Sequence, residues 1–417
     1  MSEPEDIEMS KQVQEAYIVA ATRTPIGRSG RGVFRNTRSD DLLVATIRHA
    51  LSQVPSLDPK AIEDAIVGCA MPEGPQGLNM ARIAALLAGL PHTVGGVTIN
   101  RFCASGLTAV QMAADRIRVG EADVLIAGGA ESMSAIPMTG ATPSFNAHIF
   151  ERDENIGIAY GMGLTAEKVA AQWKVSREAQ DRFALQSHQR AIKAQQAGEF
   201  AAEMTPIEVQ TRTPDLASGD VVVSQRSVAL DEGPRADTSL EALGKLKPVF
   251  AAPRDPAGKP TGFGSVTAGN SSQTSDGAGC LILASEKAVK QFDLKPLARF
   301  VSFAIKGVPP HIMGIGPIEA IPAALKLAGL KLDDLGWIEL NEAFAAQSLA
   351  VIDTVGLNPE RVNPMGGAIA LGHPLGATGA IRSATTIHAL HRHDLRYGMV
   401  TMCVGMGQGA AGIFERV

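Results

Sequence analysis

Two cysteines, a histidine and an asparagine stand in four short segments of the 417-residue chain whose chemistry fits together. They are Cys103 in NRFCASG (Asn100–Gly106), Asn341 in NEAFA (Asn341–Ala345), His373 in GHPLGATG (Gly372–Gly379) and Cys403 in CVGMGQG (Cys403–Gly409). A thiol nucleophile, a base to take its proton, a second thiol to act as acid or base and an amide to hold an oxygen are the groups needed for thiol-based carbon–carbon bond chemistry. Three of the segments are rich in small residues, which let a backbone come close to a ligand.

The elements around these residues must position them. Cys103 follows a strand at Val97–Asn100 and opens a helix at Ala104–Val119, where unpaired N–H groups and the helix dipole favour a thiolate. Such a strand–turn–helix elbow presents a nucleophile to a cleft. His373 also precedes a helix. Cys403 ends an apolar strand, and the glycines after it, Gly405 among them, can offer N–H donors to an oxyanion. Asn341 ends the strand WIEL and can hold a water or a carbonyl oxygen. Each also has a plainer reading: a small core thiol, or, for Asn341, the N-cap of a helix beginning at Glu342. The conjunction favours chemistry. Cys69 and Cys280, inside apolar strands without polar neighbours, read as core, and His388, His391 and His393 as surface residues near a helix end.

Composition narrows the partners. Net charge is −5, there is no basic tract, and aromatics are 4%, so neither nucleic acid nor an anionic membrane is expected. No apolar run is long enough for a membrane span. Four dispersed cysteines without a CxxC pair indicate neither a zinc site nor a disulfide framework, and fit a reducing, cytoplasmic setting. Residues 1–16 are polar and acidic and read as a flexible extension.

Strand-like and helix-like stretches alternate, as in α/β layered folds. The order helix, leucine–aspartate loop, strand occurs twice, at Asp41–Ala70 and at Ile318–Ala345. Thr98–Val110 has its counterpart in Val362–Ile381, and Ala122–Met133 in Tyr397–Gly409. An offset of about 276 residues relates the copies, as expected for a duplicated supersecondary unit. Between them, polar helices at Leu164–Gly198 and proline-bearing stretches flanking a Gly-Asp turn read as an insertion at about 137–255, the natural place for a substrate lid. The expected division is an N-terminal half at 17–287 and a C-terminal half at 288–417.

Taken together, the segments resemble the thiolase family over about Val19 to the C-terminus. VAATRTPIG (Val19–Gly27), AGGAESMS (Ala127–Ser134), GMGLTAEKVA (Gly161–Ala170), LKPVF (Leu246–Phe250), GSVTAGNSSQTSDGA (Gly264–Ala278) and MGIGP (Met313–Pro317) stand in family order. The SSQTSDGA form is more similar to degradative 3-ketoacyl-CoA thiolases than to biosynthetic acetoacetyl-CoA thiolases. The resemblance implies a five-layered αβαβα core of two related halves with an inserted loop domain, assembled as a dimer or tetramer. It implies that Cys103 carries the acyl group and that His373 deprotonates Cys103 and later CoA. Cys403 would exchange a proton with the enolate. The N–H groups of Cys103 and Gly405 would hold one oxyanion, and His373 with a water on Asn341 the thioester oxygen. Met162 and Met313 match the acyl pocket, Ser272 a pantetheine contact and Arg235 a contact near the CoA nucleotide, with Ala343 and Phe344 as further substrate contacts. CoA is then a substrate, and no metal or redox cofactor is required.

One departure is Gly161, where short-chain members often carry His; its missing side chain would widen the acyl tunnel. Alternatives are a biosynthetic acetoacetyl-CoA thiolase, a decarboxylating ketoacyl synthase, which typically has a second His in place of Cys403, and a non-enzymatic thiolase-like lipid carrier, which need not keep all three catalytic residues. Docking to a hydratase–dehydrogenase partner would involve the inserted HIFERDEN stretch (His148–Asn155).

Overall fold

Continuous apolar runs favour strands covered on both faces, and in the computed structural model, which describes residues 13–250 and 264–417, those runs build the sheets. The first half contributes β1 (Ala16–Arg23), α1 (Ser39–Gln53), β2 (Asp64–Gly68), α2 (Met80–Leu87), β3 (Val97–Ile99), α3 (Ser105–Arg118) and β4 (Val124–Ser132). The intervening stretch holds α4 (Met162–Gln172), α5 (Arg177–Gln196) and the hairpin β5 (Ile207–Pro214) and β6 (Val221–Val228). The chain returns through β7 (Ser275–Ser285). It then adds β8 (Ala298–Gly307), α6 (Gly316–Ala328), β9 (Leu335–Leu340), α7 (Ala345–Val355), α8 (Leu375–Arg392), β10 (Tyr397–Val404) and β11 (Gln408–Arg416).

The strands pair in the order β9-β10-β11-β8-β1-β7-β4-β2-β3. Outward from the β1–β8 junction, the two halves repeat one another. Each ends in a parallel pair, with Ile66 opposite Ala127 in one and Ile338 opposite Met399 in the other. Both strands therefore align at the same offset of about 272 residues, slightly less than sequence alone suggests because loop insertions blur the register. Val97 lies beside Ile66 as Val362 lies beside Ile338. The junction itself is short, Tyr17 with Arg299 and Ile18 with Ala298.

Three apolar clusters define the layers. One gathers α3, α8 and the inner sheet faces, one packs α1 and α2 on the outer face of the first half, and one packs α6 on the outer face of the second. The result is helix, sheet, helix, sheet, helix. Because α8 lies in the middle layer, every residue from Leu375 to Ile387 is buried. Its contact with α3 depends on glycine: a Cβ on Gly379 would fall 2.1 Å from Leu107 N, and one on Gly106 2.7 Å from Ala380 N. Only residues without side chains allow so close a helix approach. The crossing sets the N-termini of α3 and α8 side by side, and with them the residues just before each helix.

Gln14 and Glu15, expected within the extension, are tied to the fold: Gln14 donates to Arg118 O and Ile117 O, and Glu15 pairs with Arg299. Residues 1–12, and residues 251–255 of the expected insertion, lie outside the described residues. Among the described residues, no helix is long and apolar enough to cross a membrane.

Candidate active site

Cys103 sits on a tightly held elbow. Phe102, just before it, has φ +43°, a left-handed conformation that costs a non-glycine residue free energy and persists where neighbours enforce it. Enforcement comes from local side chains. Asn100 Oδ1 accepts from Phe102 N (2.8 Å), and Ser105 Oγ accepts from Arg101 N (2.8 Å) while donating to Phe102 O (2.7 Å). A short 3₁₀ turn at Phe102–Ala104 then leads into α3. The backbone N–H groups of Cys103 itself and of Gly405 lie near the sulfur. Burial pushes its thiol up to about 12; those two donors pull the other way, and the charge of Glu131 adds to the rise.

His373 is buried at the mouth of α8. Its Nδ1 lies 2.6 Å from Thr378 Oγ1, which is 3.1 Å from Pro374 O. With the hydroxyl proton on that carbonyl, Thr378 accepts Nδ1–H and leaves Nε2 as the basic nitrogen. Asn341 Nδ2 is 3.3 Å from Nε2, and Asn341 Oδ1 is buried without a partner, an acceptor set for a water or a substrate group. Burial, assisted by the Arg382 charge, pushes His373 down to about 3. Helix α7 starts only at Ala345, with Phe344 at its N-cap, so Asn341 does not cap it and its amide stays available.

Cys403, near the end of β10, is fully buried; burial first, then the nearby Cys103, hold its thiol above the usual thiol range. Met162, Met313, Ala343 and Phe344 pack around it with Ala166, Val266 and Phe250. Ser272 N donates to Ala343 O (2.9 Å), which places Ser272 on the same wall. A Cβ on Gly405 would lie 3.4 Å from the Phe102 ring, so the segment after Cys403 closes over the Cys103 elbow. Asn341 thus meets His373, and the segment carrying Cys403 and Gly405 lies over the Cys103 elbow beside an apolar wall.

Profiles described as the N-terminal and the C-terminal domain of thiolase match residues 16–287 and 294–416. The chain belongs to the thiolase family. It is 47% identical to a 3-ketoacyl-CoA thiolase of Bacillus subtilis, covering 97% of this chain and 100% of that protein. It is 45% identical to a beta-ketoadipyl-CoA thiolase of Escherichia coli, again over 97% and 100%. Among solved structures, human mitochondrial 3-ketoacyl-CoA thiolase superposes with a TM-score of 0.85 at 38% identity, covering 97% of this chain and 100% of that one. A Bacillus anthracis acetyl-CoA acetyltransferase gives 0.85 at 37%, over 98% and 100%.

In this thiolase Arg235 stands apart from the sulfurs. It lines a cavity of about 310 Å³ with Arg28, His188, Asp237 and Gln273. Gln273 links that cavity to the centre: its carbonyl accepts His373 N (3.1 Å), and its amide donates to Gly233, Ile369 and Ala370 carbonyls. Gly161 is exposed, with nothing within 4 Å of where a Cβ would stand. Cys280 is core, as expected. Cys69 is buried too, but it has a polar neighbour: its thiol lies 3.6 Å from Glu131 Oε1. His388 is half-buried and bonded to Ala21 O rather than free at the surface. Sequence reading missed Thr378, although it stands inside the GHPLGATG segment, and Gln273.

A thiol pushed up and an imidazole pushed down make the resting pair neutral. We therefore expect iodoacetamide alkylation of Cys103, followed by peptide mass spectrometry, to rise about tenfold per pH unit between about pH 7 and 10, since the thiolate is the nucleophile. A rate already level at neutral pH would contradict this.

Proposed function

We propose that this thiolase cleaves 3-ketoacyl-CoA with CoA, giving acetyl-CoA and an acyl-CoA shortened by one acetyl unit, and that the same centre runs the reverse Claisen condensation. The observation that carries this reading is the contact of Asn341 Nδ2 with His373 Nε2 at 3.3 Å, with the segment of Cys403 and Gly405 packed over the Cys103 elbow beside an apolar wall. Names of relatives support it, 3-ketoacyl-CoA thiolases among them.

Cys103 attacks the 3-keto carbon as His373 Nε2 takes the thiol proton. Because the two groups are far from matched at rest, the proton moves as negative charge builds on the substrate oxygen, where the N–H groups of Cys103 and Gly405 stabilise it. Collapse breaks the bond between C2 and C3. The electron pair leaves as the acetyl-CoA enolate, its oxygen held by His373 and a water on Asn341, and Cys403 protonates its carbon. The proton on His373 then restores the Cys403 thiol, CoA enters and gives its thiol proton to the neutral His373, and as the CoA thiolate attacks the acyl carbon Cys103 leaves and takes that proton back. Separating the carbanion step from thiol transfer is the gain from the covalent intermediate. The scheme uses CoA as substrate and draws on no metal or redox cofactor. The nucleotide end of CoA is assigned to the Arg235 cavity, pantetheine to Ser272, and the acyl chain to Met162, Met313, Ala343 and Phe344.

The wall around Cys403 is apolar, which favours an unbranched hydrocarbon chain longer than acetoacetyl over a second carboxylate; Gly161 faces solvent, so its missing side chain does not itself widen an enclosed tunnel. Rates with free CoA across 3-ketoacyl-CoAs from acetoacetyl to 3-ketohexadecanoyl, with 3-ketoadipyl-CoA beside them, test this. Medium or long chains should exceed acetoacetyl-CoA severalfold in kcat/KM. Strict acetoacetyl preference would return the protein to the biosynthetic type, and preference for the dicarboxylate would favour the type of the beta-ketoadipyl-CoA thiolase relatives. We further propose a division of the chain at about residue 287 into two halves, assembly as homodimer or homotetramer, a cytoplasmic location and docking to a hydratase–dehydrogenase partner through His148–Asn155.

A further inference from the structure

Glu131, near the end of β4, is 1% exposed and has no basic side chain within salt-bridge distance among the described residues. Such a carboxylate is tolerated only when its oxygens are fully hydrogen-bonded, and here they are. Oε2 accepts from Ala70 N (2.7 Å) and Gly376 N (2.8 Å); Oε1 accepts from Gln76 Nε2 (2.8 Å), Met71 N (3.3 Å) and the Cys69 thiol (3.6 Å). Burial raises the carboxyl above its ordinary value while the Ala70, Gly376, Gln76 and Met71 donors pull it down, and five donors around two oxygens call for acceptors on both.

These partners belong to both halves of the active site. Gly376 is in the first turn of α8, three residues after His373, where its N–H lacks a helical partner and the dipole favours an anion. Ala70 and Met71 follow β2, and Cys69 N donates to Ile99 O on β3 (3.0 Å), the strand that runs into the Cys103 elbow. A Cβ on Gly376 would meet Ala70 N at 2.6 Å and Glu131 Oε2 at 2.8 Å, so the contact leaves no slack.

We propose that Glu131 is a positioning residue that pins the start of α8 to the end of β2, and thereby fixes His373 against Cys103. The inference rests on the thiolase reading above, because it assigns Glu131 to the same acylation step. Glu131→Gln keeps the volume but turns part of an all-acceptor group into a donor facing donors. A displacement of about 1 Å at the base costs on the order of 100-fold. We expect kcat to fall by about that factor with KM for both substrates within about twofold of wild type.

The deciding measurement is a cycle on the single-turnover rate of Cys103 acylation by a simple acyl-CoA, followed by intact mass. Glu131→Gln should slow acylation in the native background and have almost no effect when His373 is already Ala, because no base remains to be placed. Equal slowing in both backgrounds, or native-like rates in Glu131→Gln, would overturn the proposal. If Glu131→Gln does not fold, Gln76→Met removes one of the donors to Oε1 and should show the same non-additivity at smaller size. Wild-type protein that never acylates would instead sink the thiolase reading.

Discussion

Replacing Cys103 with Ala is expected to remove acyl-enzyme altogether and to lower thiolysis by at least about 10⁴-fold, as removal of a covalent nucleophile does. Intact mass after incubation with acetyl-CoA would show no adduct, whereas wild type gains one acyl group per chain. The fold should survive, because the side chain sits on an elbow held by Asn100 and Ser105 rather than by the sulfur itself. An adduct that persists in the variant would mean that another thiol carries the acyl group. Cys69 and Cys280 are poor candidates: both are buried within the first half's outer core, and burial raises both thiols.

Cys403→Ala should divide the reaction instead of abolishing it. Acylation of Cys103 from a simple acyl-CoA needs the His373 base and the two N–H donors, all of which remain, and its rate should stay within about tenfold of wild type. Carbon–carbon cleavage needs a proton delivered to the enolate carbon and should fall about 10³-fold, within the usual range for a lost general acid. Two assays separate these outcomes: adduct formation by mass, and loss of 3-ketoacyl-CoA on adding CoA. The variant should also accumulate acyl-Cys103 from acetyl-CoA yet fail to exchange its α-protons with deuterated water. If acylation and cleavage fell together, Cys403 would be supporting the site rather than moving a proton. The high thiol range of Cys403 suits this role, because a donor must hold its proton until the carbanion forms.

Much of this was legible along the chain. The reactive groups stand out by their conjunction in four short segments, three of them rich in small residues, and the duplication shows in the repeated order of helix, loop and strand. The continuous apolar runs of β4 and β10 report sheets covered on both faces. Other features were hidden for physical reasons. Asn341 read equally as a helix cap, and only the observed start of α7 at Ala345 frees it. Glu131 lies inside a quoted segment, yet its five donors come from residues 69–76 and 376, so nothing near it in sequence signals a buried anion. The downward push on His373 depends on its burial at the start of α8 in the middle layer, which no local pattern encodes.

The sequence by itself determined which atoms are available for chemistry and that two copies of one unit frame them, since residue type and periodicity are local properties. The tertiary structure alone decided that the helices opening after Cys103 and His373 cross at a glycine contact, that burial pushes the thiol up and the imidazole down, and that Glu131 accepts from backbone of both β2's end and the first turn of α8. Those outcomes depend on burial and on distances between segments more than 200 residues apart, and dielectric environment and long-range contact are set only when the layers close.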